Sequence, residues 1–301
     1  MKRYTASSKT ATFHRRWSCT LITIMLLLAG IAIGSSASAQ TFAAQYRAFS
    51  GQVSQLLDID PDGSVSREGT LFGIGGVFGL TFIDQTMFGV EFEAVDRFFL
   101  VTIPHTGTAS GVRVGAVPIG PPNVEGLAYD PIGDRLFGVS FDTSEHLTSL
   151  LEIDRGTGTG TAIGTLSFDV FIVGLASSPT GTLYGVSKAY SGNSTPALYS
   201  IRTDGIGDGP LETLVGSLGL LTNAEGFGPI EGLTWADDKL VGSFGSLYEI
   251  DTGTGAATLI GGDYTTSAMS DGAYGLADLG GPSPVESTSW GRVKAIYRPG
   301  E

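Results

Sequence analysis

Three acidic residues stand at comparable points of this 301-residue chain. Glu125 and Glu231 each immediately precede a Gly-Leu pair, Gly126-Leu127 and Gly232-Leu233, and Asp271 lies just upstream of another, Gly275-Leu276. Carboxylates gathered in one place can bind a cation or a basic ligand, or act as a general acid and base. The plainer reading is that such an acid satisfies backbone donors where a strand begins. Phe78 and Val173 hold the same place before Gly79 and Gly174, so a fold built on these pairs does not need an acid there.

A second acidic group is Asp58-Ile59-Asp60-Pro61-Asp62-Gly63. Alternating carboxylates followed by Gly match the first half of a calcium loop, so Asp58, Asp60 and Asp62 are candidate metal ligands. The bidentate acid expected at the twelfth position is missing, since Gly69 stands there. Similar turns recur at Asp154-Arg155-Gly156 and Asp251-Thr252-Gly253 without the extra acids, which favours a hairpin turn. Outside the N-terminal leader the histidines are His105 and His146, both in expected turns, and two separate loop residues do not make a zinc site. No Gly-x-Ser-x-Gly elbow is present. Gly73-Ile74-Gly75-Gly76 is followed by no helical pattern that could place a phosphate at a helix N-terminus.

The elements that must position these residues follow from a repeat. Gly-Leu pairs occur at Gly79, Gly126, Gly174, Gly232 and Gly275, at steps of 47, 48, 58 and 43 residues. After the first four comes a second short apolar run, at Met87–Val90, Leu136–Val139, Leu183–Val186 and Leu240–Ser243. A third run ends at Ile59, Ile103, Ile153, Ile201 and Ile250. A fourth is expected at Ser66–Leu71, Arg113–Val117, Thr161–Leu166, Thr213–Leu218 and Thr258–Gly261. Turn residues separate them: Asp130-Pro131-Ile132-Gly133 and Ser178-Pro179-Thr180-Gly181 put Pro where φ is fixed and Gly where φ turns positive. With 45 glycines and no sustained helical period before the tail, the chain reads as all-β. A four-stranded unit of this length, repeated in tandem, predicts a β-propeller with the Gly-Leu strand innermost, where only small residues fit.

Five blades are expected, with a sixth if the poorly matched 205–231 region hides strands. The last copy stops after its first strand, Gly275–Leu279, and the chain opens with an expected second strand, Gln45–Phe49, ahead of the run ending at Ile59. The two ends therefore complete one blade and leave no open ring edge. A parallel β-helix is the alternative, with coils much shorter than this repeat. Leu247–Gly261 (Leu-Tyr-Glu-Ile-Asp-Thr-Gly-Thr-Gly-Ala-Ala-Thr-Leu-Ile-Gly) and Gly174–Val186 resemble the repeats of secreted bacterial propellers. These include a domain family of unknown function and the wider quinoprotein-like and lactonase-like propellers. The resemblance covers about Gln45–Leu279. It implies blades and leaves activity open, since related propellers bind, scaffold or catalyse.

Residues 1–39 look like a secretory signal: a leader with Lys2, Arg3, Lys9, Arg15 and Arg16, an apolar stretch Leu21–Ile33, and Ala37-Ser38-Ala39 before Gln40. That stretch is short for a membrane span. Arg15-Arg16-Trp17 hints at twin-arginine export, but general secretion suits the rest better, and Cys19 lacks a lipoprotein context. Loss of the leader removes five of 17 basic residues and none of 30 acidic ones, leaving 12 against 30, a net charge of −18. Such a surface repels nucleic acid and anionic lipid. The only Cys leaves as well, so no disulfide or thiol chemistry remains. The blades then occupy 40–281, and 282–301 holds a Gly/Pro-rich linker and a short basic amphipathic tail. In that tail Trp290, Val293 and Tyr297 share a face, suited to an export or surface component.

The functional expectation is an exported, non-enzymatic binding or scaffold module for an extracellular protein, glycan or small ligand. No cofactor is expected, with calcium as the candidate metal. The alternative is a propeller lyase or hydrolase using Glu125, Glu231 and Asp271 at the channel mouth, with or without calcium.

Overall fold

The computed structural model describes residues 41–278 apart from 46–53, 61–63, 72, 85, 95–96, 105–109, 118–122, 143, 168–169, 189–194, 206–209, 220–229, 244–245 and 262–274. All twenty elements among them are strands. Among the described residues no helix is long and apolar enough to cross a membrane.

The strands form five four-stranded antiparallel sheets. In chain order they begin with β1 (Thr41–Gln45), β2 (Gln55–Ile59) and β3 (Val65–Thr70). The second sheet is β4 (Gly76–Ile83), β5 (Thr86–Ala94), β6 (Arg97–Ile103) and β7 (Val112–Ala116). The third is β8 (Asn123–Asp130), β9 (Arg135–Asp142), β10 (Leu147–Ile153) and β11 (Gly160–Thr165). The fourth is β12 (Phe171–Ser177), β13 (Leu183–Lys188), β14 (Ala197–Ile201) and β15 (Glu212–Ser217), and the fifth is β16 (Gly232–Ala236), β17 (Lys239–Ser243), β18 (Leu247–Ile250) and β19 (Ala257–Gly261). The last strand, β20 (Gly275–Asp278), returns to the start and pairs with β1, Thr41 opposite Asp278 and Ala44 opposite Gly275. The innermost strands β4, β8, β12, β16 and β20 touch one another in that order, and β20 meets β4. The five sheets therefore stand as blades around one axis, a β-propeller closed by its two chain ends.

Two expectations need adjustment. The 205–231 region forms no sixth sheet among the described residues: β15 within it is the outer strand of the fourth, and β12 touches β16 directly. The first strand is Thr41–Gln45, upstream of the expected Gln45–Phe49, because β1 runs back from Gln45 opposite Gln55 to Thr41 opposite Ile59. Residues 46–49 lie outside the described residues. The outer strands also begin one residue earlier than expected, and every third-to-fourth strand pair carries a register shift, as between Leu150 and Leu151.

The Gly-Leu repeat has a steric cause. A Cβ on Gly79 would stand 2.6 Å from the Glu125 carbonyl oxygen, and one on Gly174 2.8 Å from the Glu231 carbonyl oxygen. Inner strands of adjacent blades approach backbone to backbone, which a side chain would prevent. The recurring third-strand Ile has a matching cause. The Cδ1 atoms of Ile103, Ile153, Ile201 and Ile250 lie 3.2, 2.8, 2.8 and 3.0 Å from where a Cβ would be on Gly89, Gly138, Gly185 and Gly242 of the second strands. Each Ile fills the space that its partner Gly leaves.

Blades are joined by apolar layers and by their hairpin tips. Val90, Leu100, Val124, Leu127 and Leu151 form one layer, between the second and third sheets. Phe137, Leu150, Ile172, Leu175 and Ile201 form the next. Each fully buried Leu, Ile or Phe contributes about 1.5–3 kcal/mol, so packing alone can hold the ring. At the hairpin tips, Asp154 Oδ1 accepts the Gly156 and Thr157 N–H groups at 2.9 and 2.7 Å, and Asp251 Oδ1 accepts those of Gly253 and Thr254 at 3.0 and 2.7 Å. These turns aim the Thr157 carbonyl at Gly115 of β7 and the Thr254 carbonyl at Gly216 of β15. Each tip thereby docks on an outer-strand glycine of the preceding blade.

Candidate functional site

Glu125 sits near the start of β8 and Glu231 immediately before β16, so blade geometry brings both to the end of the ring where inner strands begin. Their main chains serve the ring, since the two carbonyls are the ones that face Gly79 and Gly174. Their side chains are free for another purpose. Both reach Lys188, the last residue of β13: its Nζ lies 3.8 Å from Glu125 Oε2 and 3.6 Å from Glu231 Oε1. Lys188 is placed by register, opposite Phe171, and its ammonium lies 4.5 Å from the Phe171 ring centroid. Phe171 is itself stacked on Phe141, centroids 3.9 Å apart.

Two carboxyl groups thus share one ammonium. The Glu125 side chain is 18% exposed and that of Glu231 10%. Burial pushes the Glu125 carboxyl up to about 7; Lys188 opposes the rise and the Glu231 charge adds to it. Burial also raises Glu231, again against Lys188. Glu231 Oε2 is buried with no hydrogen-bond partner among the described residues. The two oxygens on Lys188 can be no further apart than about 7.4 Å, the sum of their distances to Nζ. The group can accept hydrogen bonds from an ammonium or hydroxyl guest, and Glu125 can hold or release a proton near neutrality.

Glu125 also borders a cavity of about 130 Å³, lined among the described residues by Phe78, Phe92, Phe98 and Val124 as well. Phe78 occupies on β4 the place that Glu125 occupies on β8, so the cavity lies between these two blades. Toward the other ends of the inner strands, Thr81, Tyr129, Ser177, Thr234 and Trp235 help to line a space of about 20 Å³, room for one water.

The other sequence candidates are placed differently. Asp271 and Asp62 lie outside the described residues, as does His105. Asp58 is buried on β2. Asp60 is part of the β2–β3 hairpin: its N–H donates to the Ser64 carbonyl at 2.8 Å, and Ser64 Oγ donates to Asp60 Oδ2 at 3.3 Å. Among the described residues no three His, Cys, Asp or Glu side chains converge as metal ligands. His146 is in the β9–β10 turn with φ 56°. In the glycine-rich stretch, Gly75 N–H donates to Glu91 Oε1 at 2.6 Å, and Arg113 holds that same carboxylate.

Sequence reasoning missed Lys188 and the phenylalanine wall. Lys188 carried one signal, a lone cation ending an apolar strand. The phenylalanines carried none, because Phe78, Phe92 and Phe98 belong to different strands and their meeting depends on pairing.

Five four-stranded blades around a closed ring of inner strands define the class: a β-propeller. No model of a known family matches the chain, and no curated protein matches it in sequence. Several solved structures are similar to it. A chain of the nidogen/laminin complex shares 13% identity with a TM-score of 0.48, over 80% of this chain and 98% of its own. TolB from Acinetobacter baumannii shares 15% at 0.46, over 82% of this chain and 59% of its own. The periplasmic gluconolactonase of Pseudomonas aeruginosa shares 16% at 0.40, over 73% and 66%. At such identities nothing of what these proteins do is carried over.

Proposed function

We propose that this chain is an exported, non-enzymatic β-propeller that binds a small ligand at one mouth of its channel. One observation carries the reading: Glu125 stands between the Lys188–Glu231 group and an aromatic cavity of about 130 Å³. An apolar, aromatic hollow with a few charged groups at its edge matches the general composition of small-molecule sites. The inner-strand contacts need only the main chain at positions 125 and 231, so these acids are not there to hold the ring. Export is supported by the basic leader, the apolar stretch and Ala37-Ser38-Ala39. The acidic balance favours a ligand that is neither nucleic acid nor anionic lipid.

The test is a chemically mixed fragment library screened by ligand-observed NMR against the wild type and Lys188→Met, both checked by thermal melting. We expect fragments that bind the wild type and are lost or changed in the variant. A library that treats two folded proteins alike removes the mouth as a binding site.

An enzymatic reading has its own observation, the Glu125 carboxyl held near 7 with a second carboxyl close by. Carboxyl pairs that cleave glycosides are separated by about 5–9.5 Å, a range the shared Lys188 permits. It predicts turnover of a glycan that is abolished by Glu125→Gln and by Glu231→Gln separately. Binding without turnover in both variants and the wild type favours the module.

A further inference from the structure

The cavity beside Glu125 has a distinctive wall. Phe78 and Phe92 meet edge to face, centroids 6.2 Å apart and planes at 79°. Phe92 and Phe98 are 5.5 Å apart at 46°. Three rings in three orientations therefore border one hollow of about 130 Å³, close to the roughly 150 Å³ that accommodates a benzene-sized guest in a protein core. Ring faces are electron-rich, and Glu125 places a carboxyl at the border. Among the described residues no cationic side chain lines the hollow; Lys188, on the Glu125 carboxyl, is not part of its wall.

Each class of guest can be weighed against that wall. An anion meets the Glu125 carboxyl, which repels it, and no cation among the described lining residues. Among the described lining residues a divalent metal ion finds one carboxyl and no other oxygen side chain, where calcium takes six to eight oxygens. A neutral apolar guest fits the rings but offers nothing to Glu125, which shares its one nearby cation, Lys188, with Glu231. An ammonium clothed in methyl groups satisfies every part: its charge faces the rings and Glu125, its methyls fill apolar space, and it is easier to desolvate than a bare ammonium.

We propose that Phe78, Phe92, Phe98 and Glu125 form a cage for an alkylated ammonium group, that of a small organic cation with a trimethylammonium-like head. This rests on the reading of the mouth as a ligand site and adds the chemical class of the ligand. The head group has two sources, a free small cation or a methylated lysine side chain, and both present the same chemistry to the cage.

The test uses the whole exported chain and four probes in calorimetry and NMR: tetramethylammonium, choline, an Nε-trimethyllysine amide, and the uncharged isostere 3,3-dimethylbutanol. We expect the cations to bind and to shift the aromatic resonances of Phe78, Phe92 and Phe98, with the isostere much weaker. The stronger of choline and the lysine derivative names the source. Phe92→Leu, which keeps apolar volume but removes a ring, should weaken cation binding about five- to thirtyfold while leaving melting near the wild type. Glu125→Gln should weaken the cations and spare the isostere. Isostere binding as strong as choline, or cation binding unchanged in a folded Phe92→Leu, overturns the cage and leaves the mouth as an apolar ligand site. Silence from all four probes overturns the cage, and the fragment screen separately decides the mouth.

Discussion

The carboxyl of Glu125 makes stability depend on pH in an unusual direction. Its value rises from 4.5 in the unfolded chain to about 7 in the folded one, chiefly through burial. Below pH 4.5 the group is protonated in both states and costs nothing. Between 4.5 and about 7 the unfolded chain loses its proton while the folded one keeps it, so stability falls as pH rises. That rise corresponds to about 3 kcal/mol, fully lost above the folded value. Lys188 and Glu231 are the charged groups facing it, and their opposed effects are already within that shift. Glu125→Gln keeps the shape and removes the titration. Relative to their difference at pH 4, the variant should gain up to about 3 kcal/mol over the wild type by pH 8. In a ring of this size that is about 6–12 °C in melting temperature. Urea unfolding of both proteins across pH 4 to 8 measures it. Parallel profiles would show that Lys188 fully offsets the burial of this carboxyl, and the reasoning would fail.

Two further outcomes follow from the packing. Gly115→Ala and Gly216→Ala each drive a methyl into a hairpin-tip carbonyl of the next blade, and each should cost about 1–3 kcal/mol in urea unfolding. Gly69→Ala, whose nearest neighbour would be the Leu56 carbonyl at 3.9 Å, is the control; equal losses at all three would refute the docking of tips on glycines. Calcium added to saturation, then chelated, should leave the melting temperature in place, because Asp60 is engaged within its own hairpin with Ser64. A rise with calcium would support the Asp58–Asp60–Asp62 ligand set, since a bound ion must stabilise the native state.

The blade was legible because its determinants are local. Gly79-Leu80 and its copies mark inner strands, Ile153 and its copies mark third strands, and Asp154 and Asp251 mark the hairpins between third and fourth. Closure was legible from arithmetic on strands left over at the two ends. The start of β1 was not, because Gln45–Phe49 carries the stronger aromatic alternation while pairing with β2 selected Thr41–Gln45. Glu125 and Glu231 could be picked out because they depart from a repeat that tolerates Phe78 and Val173 at the same place. Their partner could not: Lys188 is 63 residues from Glu125 and 43 from Glu231, on a strand whose repeat position says nothing about an ammonium. The tip-to-glycine contacts were half visible, the tips as a motif, their targets hidden one blade away.

The pairing of β1 with β20 joins residues more than 230 apart, whereas every other strand pair joins near neighbours in sequence. Those local hairpins can form early and independently; the last pairing cannot form until both ends have arrived. Until then β1 presents a bare edge, and any β20 of matching sequence can cover it, including one from another molecule. At high concentration during refolding, exchange of this four-residue segment between two copies competes with self-closure. The ring that covers the β1 edge once complete is therefore, while incomplete, a route to entangled pairs. Dilution, which favours the intramolecular event, is the condition under which it closes on itself.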